Sequence, residues 1–180
     1  MSISYYKKLI VKSFAIASFF VFCTAYADNK TAPMAAPANY LFLQNASSGI
    51  LKATKEHGTY QLVLQNVQPN VTYFSDRPNR ITGSITLDTF LKEWQKKNGF
   101  KTDAPNVGIE GIKLHAFSRD QEVSVIMILS NPIYDKKSNS LTYTARALNT
   151  NESDIKDNIK LSNIALFIDN FGSCPSCCCG

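Results

Sequence analysis

The chain is 180 residues long, carries a formal charge of +5 and is 44% hydrophobic and 18% charged. That length suits one domain with a core of its own and is short for two. The positive charge is modest and is not gathered into a basic stripe, so nucleic acid is excluded as a partner.

The N-terminal segment sets the destination. Lys7, Lys8 and Lys12 form a positive n-region, residues 14–23 an apolar h-region, and Ala25-Tyr26-Ala27 a small-x-small cleavage signature before Asp28. Residues 1–27 therefore read as a secretory signal peptide. A membrane span needs about 20 predominantly apolar residues. The uncharged run after Lys12 reaches only to Ala27 and contains Ser13, Ser18 and Thr24. Cleavage is expected rather than anchoring, so no transmembrane anchor remains and the protein is expected to be secreted or periplasmic. A lipoprotein signal fits poorly, because Phe22 stands before Cys23 where a small residue belongs. The leader takes three lysines and no acid with it, which leaves +2 on residues 28–180.

Residues 28–39, with Pro33 and Pro37 among small and polar side chains, form a flexible lead-in. The domain is expected over residues 40–170. Residues 40–44 make an apolar strand and 49–53 its partner, with 45–48 turning the chain between them. After a turn at Lys55-Glu56-His57-Gly58, residues 59–65 alternate, with Tyr60, Leu62 and Leu64 on one face. Residues 71–75 and 81–85 are two further strands, and Asp76-Arg77-Pro78-Asn79-Arg80 lies between them.

That charged stretch predicts a rigid corner. Asp76 accepts from backbone N–H groups ahead of it, and Pro78 biases Arg77 towards an extended backbone. Asp76, Arg77 and Arg80 are close enough for ion pairing, and the two guanidinium groups also suit an anion. A structural corner with solvated arginines is the simpler of the two, since exposed charges near turns are common and surface pairs stabilise little.

The period then changes from two to 3.6. Leu87, Phe90, Leu91 and Trp94 fall at i, i+3, i+4 and i+7, one apolar stripe on a helix. Thr86 is placed to cap it, Asp88 lies in its first turn, Lys96 and Lys97 in its last, and Gly99 at C′. Residues 100–105 are a loop and 107–117 a strand. Residues 122–129 carry Val123, Val125, Met127 and Leu129 on one face and Ile126 and Ile128 on the other, which predicts a central strand covered on both sides. A hairpin follows, with arms at 132–134 and 141–148, then a polar loop at 149–158 and a closing strand at 164–168. Many short strands, one helix and no βαβ alternation predict a mainly β fold, a two-layer antiparallel β-sandwich with one amphipathic helix.

Several of these stretches also resemble a known pattern. Tyr40-Leu41-Phe42-Leu43-Gln44, Tyr73-Phe74-Ser75-Asp76-Arg77-Pro78-Asn79-Arg80-Ile81 and Asn131-Pro132-Ile133-Tyr134-Asp135 are similar to motifs of a family of small secreted bacterial proteins. The resemblance covers most of residues 40–168. It implies export and a shared fold and brings no catalytic residue with it. The cysteine-rich ending is not part of the pattern.

The strongest chemical signal is that ending, residues 171–180. Cys23 leaves with the leader, so the remaining cysteines, Cys174, Cys177, Cys178 and Cys179, all lie there and cannot staple the domain to itself. Three chemistries are open. An oxidising compartment favours disulfides within the segment or to another protein, although adjacent cysteines bridge only with strain. Four thiolates suit a soft metal ion, Cu(I) or Zn²⁺. The Cys174-Pro175-Ser176-Cys177 spacing suits thiol exchange, although such motifs normally sit on a thioredoxin-like helix. His57 and His115 are lone histidines that carry little information by themselves. No H-E-x-x-H, G-x-S-x-G, P-loop or EF-hand pattern is present. The expectation is a secreted, non-enzymatic binding or envelope module; the alternative is a periplasmic thiol-disulfide redox protein using Cys174 and Cys177.

Overall fold

Alternation of apolar and polar side chains is most regular in two segments distant in sequence, and these pair edge to edge. In the computed structural model, which describes residues 39–115, 119–148 and 158–169, they are β2 (Thr59–Val67) and β7 (Ser140–Ala147). The other elements are β1 (Tyr40–Ala53), β3 (Asn70–Ser75), β4 (Thr82–Thr86), α1 (Leu87–Trp94), β5 (Asn106–Lys113), β6 (Gln121–Asp135) and β8 (Ile159–Ile168). Tyr60, Leu62 and Leu64 of β2 and Leu141, Tyr143 and Ala145 of β7 point into one shared core.

All eight strands belong to one antiparallel sheet, in the order β2-β7-β6-β5-β8-β1-β3-β4, with β2 also paired to β1. That last pairing closes a ring of β1, β2, β7, β6, β5 and β8. The fold is thus mainly β with a single amphipathic helix, and where the sequence pattern anticipates two facing sheets, one sheet supplies the facing walls by closing on itself. Closure removes the free edges of the strands it includes.

β1 makes the closure possible. It does not turn at residues 45–48 but runs on for 14 residues. One of its edges pairs with β8 from Phe42↔Ile168 to Leu51↔Ile159. The other is divided: residues 40–43 take β3 and residues 46–53 take β2. The polar stretch that suggests a turn is instead where the strand exchanges its faces. Phe42, Gln44 and Ala46 point inward before Ser47, and Gly49 and Leu51 after it. The register places Asn66 of β2 and Asn163 of β8 on either side of Ser47, with φ of 51° and 50°. Asparagine is among the few residues that enter this left-handed region readily. Both neighbouring strands change face at these residues, so the inward lining stays continuous. Gly49 is required just beyond, because a β-carbon there would lie 2.7 Å from Ile164 Cδ1 and 2.8 Å from Val63 O.

The helix lies against the end of the barrel where β1 begins. Thr86 caps it as the sequence predicts, its hydroxyl accepting from Thr89 N–H at 3.2 Å, and Asp88 sits in the first turn. Leu87, Phe90 and Trp94 are buried, each contributing about 1.5–3 kcal/mol by leaving water. Phe90 meets Phe42 at 5.3 Å between ring centroids and Trp94 meets Tyr143 of β7 at 5.4 Å, so the stripe reaches two walls of the barrel. Leu91 is half-buried, and Glu93 is buried in its place, paired with Lys96 at 2.7 Å.

The end of the helix differs from expectation. It stops at Trp94, with Lys92 in its last turn, so Lys96 and Lys97 follow it and Gly99 is not its C′ residue. Gly99 is needed for a different reason: a β-carbon there would run into Glu93 O as the chain folds back to bury Phe100. β6 also differs. Met127 and Leu129 are fully buried, but Ile126 is 49% exposed and Ile128 only part-buried, so the outer face of this strand is incompletely covered. Asn131, at φ 51°, shifts the register with β7 between Ser130 and Ile133 and turns Ile133 outward. β8 is longer than the closing strand expected, because its first half pairs with β1 and β5.

Residues 1–38, which include the expected leader and lead-in, lie outside the described residues. So do residues 149–157 of the expected polar loop, residues 116–118, and the cysteine-rich ending. No helix among the described residues is long and apolar enough to cross a membrane.

Candidate functional site

The charged corner between β3 and β4 is held by its backbone. Ser75 N–H donates to Ile81 O at 2.8 Å, Ile81 N–H returns to Ser75 Oγ at 2.9 Å, and Arg80 N–H donates to Asp76 O at 3.0 Å. Asp76 Oδ1 accepts from Arg77 N–H at 2.6 Å. The Arg77–Pro78 peptide is cis, and Arg80 has φ 50°. The turn is thus closed by backbone bonds, and among the described residues the Asp76 carboxylate engages the N–H of the next residue and neither guanidinium. Asp76, Arg77 and Arg80 are all exposed. The hollow beside the corner, about 300 Å³, is lined by Asp76 and Asp169 with Asn39, Tyr40, Leu41 and Phe74. Two carboxylates and no arginine face it, so it is ill matched to an anion.

Two other hollows lie on the surface. One, about 430 Å³, crosses β5, β6 and β8 and is lined by Glu110, Glu122, Ser124 and Asn163 with small and apolar neighbours. The other, about 530 Å³, lies between α1 and the far half of β6, among Asp88, Leu91, Lys92, Gln95, Tyr134 and Lys136. An ion pair of Lys136 with Asp88 joins its two sides. At the tip of the β6–β7 hairpin, Ser138 Oγ at 2.7 Å and Lys137 N–H at 2.9 Å donate to Asp135 and hold its carboxyl below the ordinary carboxylate range.

One hydrogen-bonded polar pair, Gln44 and Tyr143, lies deep in the core. Gln44, fully buried on β1, accepts from the Tyr143 hydroxyl through Oε1 at 2.9 Å. Its Nε2 has no hydrogen-bond partner among the described residues. Burial pushes the Tyr143 phenol far above its usual range, so it remains a protonated donor. The signal was there to be found, since Gln44 falls in step with Tyr40, Phe42 and Ala46.

The histidines stand apart from the corner. His57 is exposed in the β1–β2 turn, and His115 is half-buried past β5, its backbone N–H donating to Asp120 Oδ1 at 3.3 Å. The register sets both at the end of the barrel opposite Asp169, the residue that leads on towards the cysteines. β8 alone spans about 30 Å between those ends. Among the described residues no three His, Cys, Asp or Glu side chains come together as a metal-binding set. Cys174, Cys177, Cys178 and Cys179 lie outside the described residues. No protein-family model, curated protein or solved structure matches the chain.

Proposed function

We propose that this protein is an exported, non-enzymatic module in which a β-barrel carries a thiol-rich segment. Cys174, Cys177, Cys178 and Cys179 take up a soft metal ion, Cu(I) or Zn²⁺, or form disulfide crosslinks to another protein. The observation that supports this most is the composition of the barrel: its core, from Tyr40 to Ile168, is built almost wholly from apolar side chains, with Gln44, Ser75 and Glu93 the buried polar ones, and uses no cysteine. No thiol or disulfide is thus needed to hold the described fold. The resemblance of the corner and strand motifs to small secreted proteins agrees with export, as does the leader-like N-terminal segment.

Reach narrows the ligands. Extended, the segment from Asp169 to Cys174 covers at most about 18 Å, short of the histidines at the far end. A metal held through Cys174 therefore takes its other ligands from the neighbouring thiolates, from side chains near Asp169 or from a partner, and not from those histidines. Thiol exchange by Cys174 and Cys177 is the second reading, favoured only by their spacing.

Mass spectrometry separates these outcomes. The expected result is a species that gains Cu(I) or Zn²⁺ when reduced, or a crosslinked mass that reductant removes. A fully reduced monomer that binds neither ion would refute the proposal. Reduction of insulin by the protein but not by its Cys174→Ser variant would put the redox reading in its place.

A further inference from the structure

We propose that β4 is an assembly edge: two copies of this chain pair antiparallel through Thr82–Thr86, with Ser84 on the two-fold axis, into one sheet that continues from barrel to barrel. The inference does not depend on the thiol segment. Closure gives each ring strand two neighbours over at least part of its length, and β3 lies between β1 and β4, so among the described strands β4 is the one with a neighbour on one side only along its whole length.

Hydrogen bonds to β3 fix which backbone groups face outward. Ser75 N–H donates to Ile81 O and Leu87 N–H to Pro69 O, both at 2.8 Å. In the register that runs from Asn70↔Thr86 to Phe74↔Thr82, these two bonds make the odd positions of β4 the ones bonded to β3. The N–H and C=O of Thr82 and Ser84, and the N–H of Thr86, therefore point away from β3. All three residues are exposed. Natural sheets guard such an edge with lysine, proline or an inward charge. Thr82-Gly83-Ser84-Ile85-Thr86 has no charge and no proline.

The edge is nearly its own complement. Turned about Ser84, it sets Thr82 opposite Thr86, Ser84 opposite Ser84, and Gly83, which presents no side chain, opposite Ile85. Thr–Thr and Ser–Ser are favourable cross-strand pairs. The Ser84 pair exchanges two backbone hydrogen bonds, because its N–H and C=O are both turned outward. Phe74, 41% exposed beside Thr82, is partly covered by the same pairing. A second copy is the occupant that matches the edge in both register and side chains.

The test uses the full chain with its thiols alkylated, so that disulfides cannot produce the dimer. Sedimentation equilibrium should show a dimer for the parent and at least tenfold weaker self-association for Ser84→Lys and Ser84→Glu. Mixing the two variants should restore a dimer, because residue 84 faces residue 84. Emission from Trp94, the single tryptophan, reports that each variant is folded. Ser84→Pro, which removes an N–H that β3 does not use, serves if a charged variant unfolds. A monomeric parent overturns the proposal, as does a dimer that the variants leave intact or that mixing fails to restore. Slow amide exchange at Thr82, Ser84 and Thr86 in a monomeric parent would mean that another segment of the same chain, such as residues 28–38, covers the edge, and would overturn it as well.

Discussion

Gln44 occupies a position that the alternation of β1 assigns to the core, and the core accepts it through one hydrogen bond to Tyr143. A buried polar pair is stabilising only while both members are present, because desolvation of a lone donor or acceptor goes uncompensated. Tyr143→Phe should therefore lower stability by about 1–3 kcal/mol, leaving the Gln44 amide wholly unpaired. Gln44→Leu should cost a similar amount by stranding the tyrosine hydroxyl. The double variant should recover most of both losses, since nothing polar is then left in that part of the core. Urea unfolding followed by Trp94 emission measures all three, and additive losses would show that the two side chains act separately. Residue-scale reasoning from sequence recovers the inward positions of β2 and β7 and the place of the turn after Ser75. It misses the partner of Gln44 because Tyr143 meets it only after the ring has closed.

Among the elements, α1 was the most legible, because its signals are local: the 3.6 period of Leu87, Phe90 and Trp94, and the cap at Thr86. Its end was misjudged because the deciding contact is not a sequence signal. Gly99 lies against the carbonyls of Glu93 and Trp94, and this approach lets the chain reverse and bring Phe100 onto Trp94, at 4.8 Å between ring centroids. Gly99→Ala should lower stability by about 1–3 kcal/mol through this clash, with a change in Trp94 emission that marks a displaced indole. An unchanged urea midpoint would mean that the loop relaxes freely. β1 and β6 were misread for related reasons. Polar residues in β1 mark a change of face, which looks like a turn when the neighbouring strands are unknown. Ile126 and Ile128 give β6 two apolar faces, a pattern that predicts full coverage on both sides, whereas only the inner face is fully buried, at Met127 and Leu129.

At the scale of the whole molecule, the class was legible and the closure was not. Strand-like periodicity, a single helix and the absence of βαβ alternation are properties of the sequence itself. Closure depends on residues such as Phe42 and Ile168, far apart along the chain, becoming neighbours. Contacts between such distant residues must overcome the entropy of the intervening loop, which places folding among the slower single domains, in the millisecond-to-second range. The charged corner is legible as a turn for the opposite reason, since nearly everything that shapes it lies within residues 75–81.

The pairing of β1 with β8 brings together the two places where the backbone enters and leaves the barrel. Whatever precedes Tyr40 and whatever follows Asp169 depart from one rim, on adjacent strands. A circular permutant should therefore fold: a short linker can join residue 169 to residue 39, and new termini can open between Glu56 and His57, both exposed in the β1–β2 turn. Its urea midpoint should stay close to that of the parent, and loss of cooperative unfolding would show that the exits are not the neighbours the register makes them. The shared rim also means that a leading segment and a trailing one can be grasped by the same partner at once.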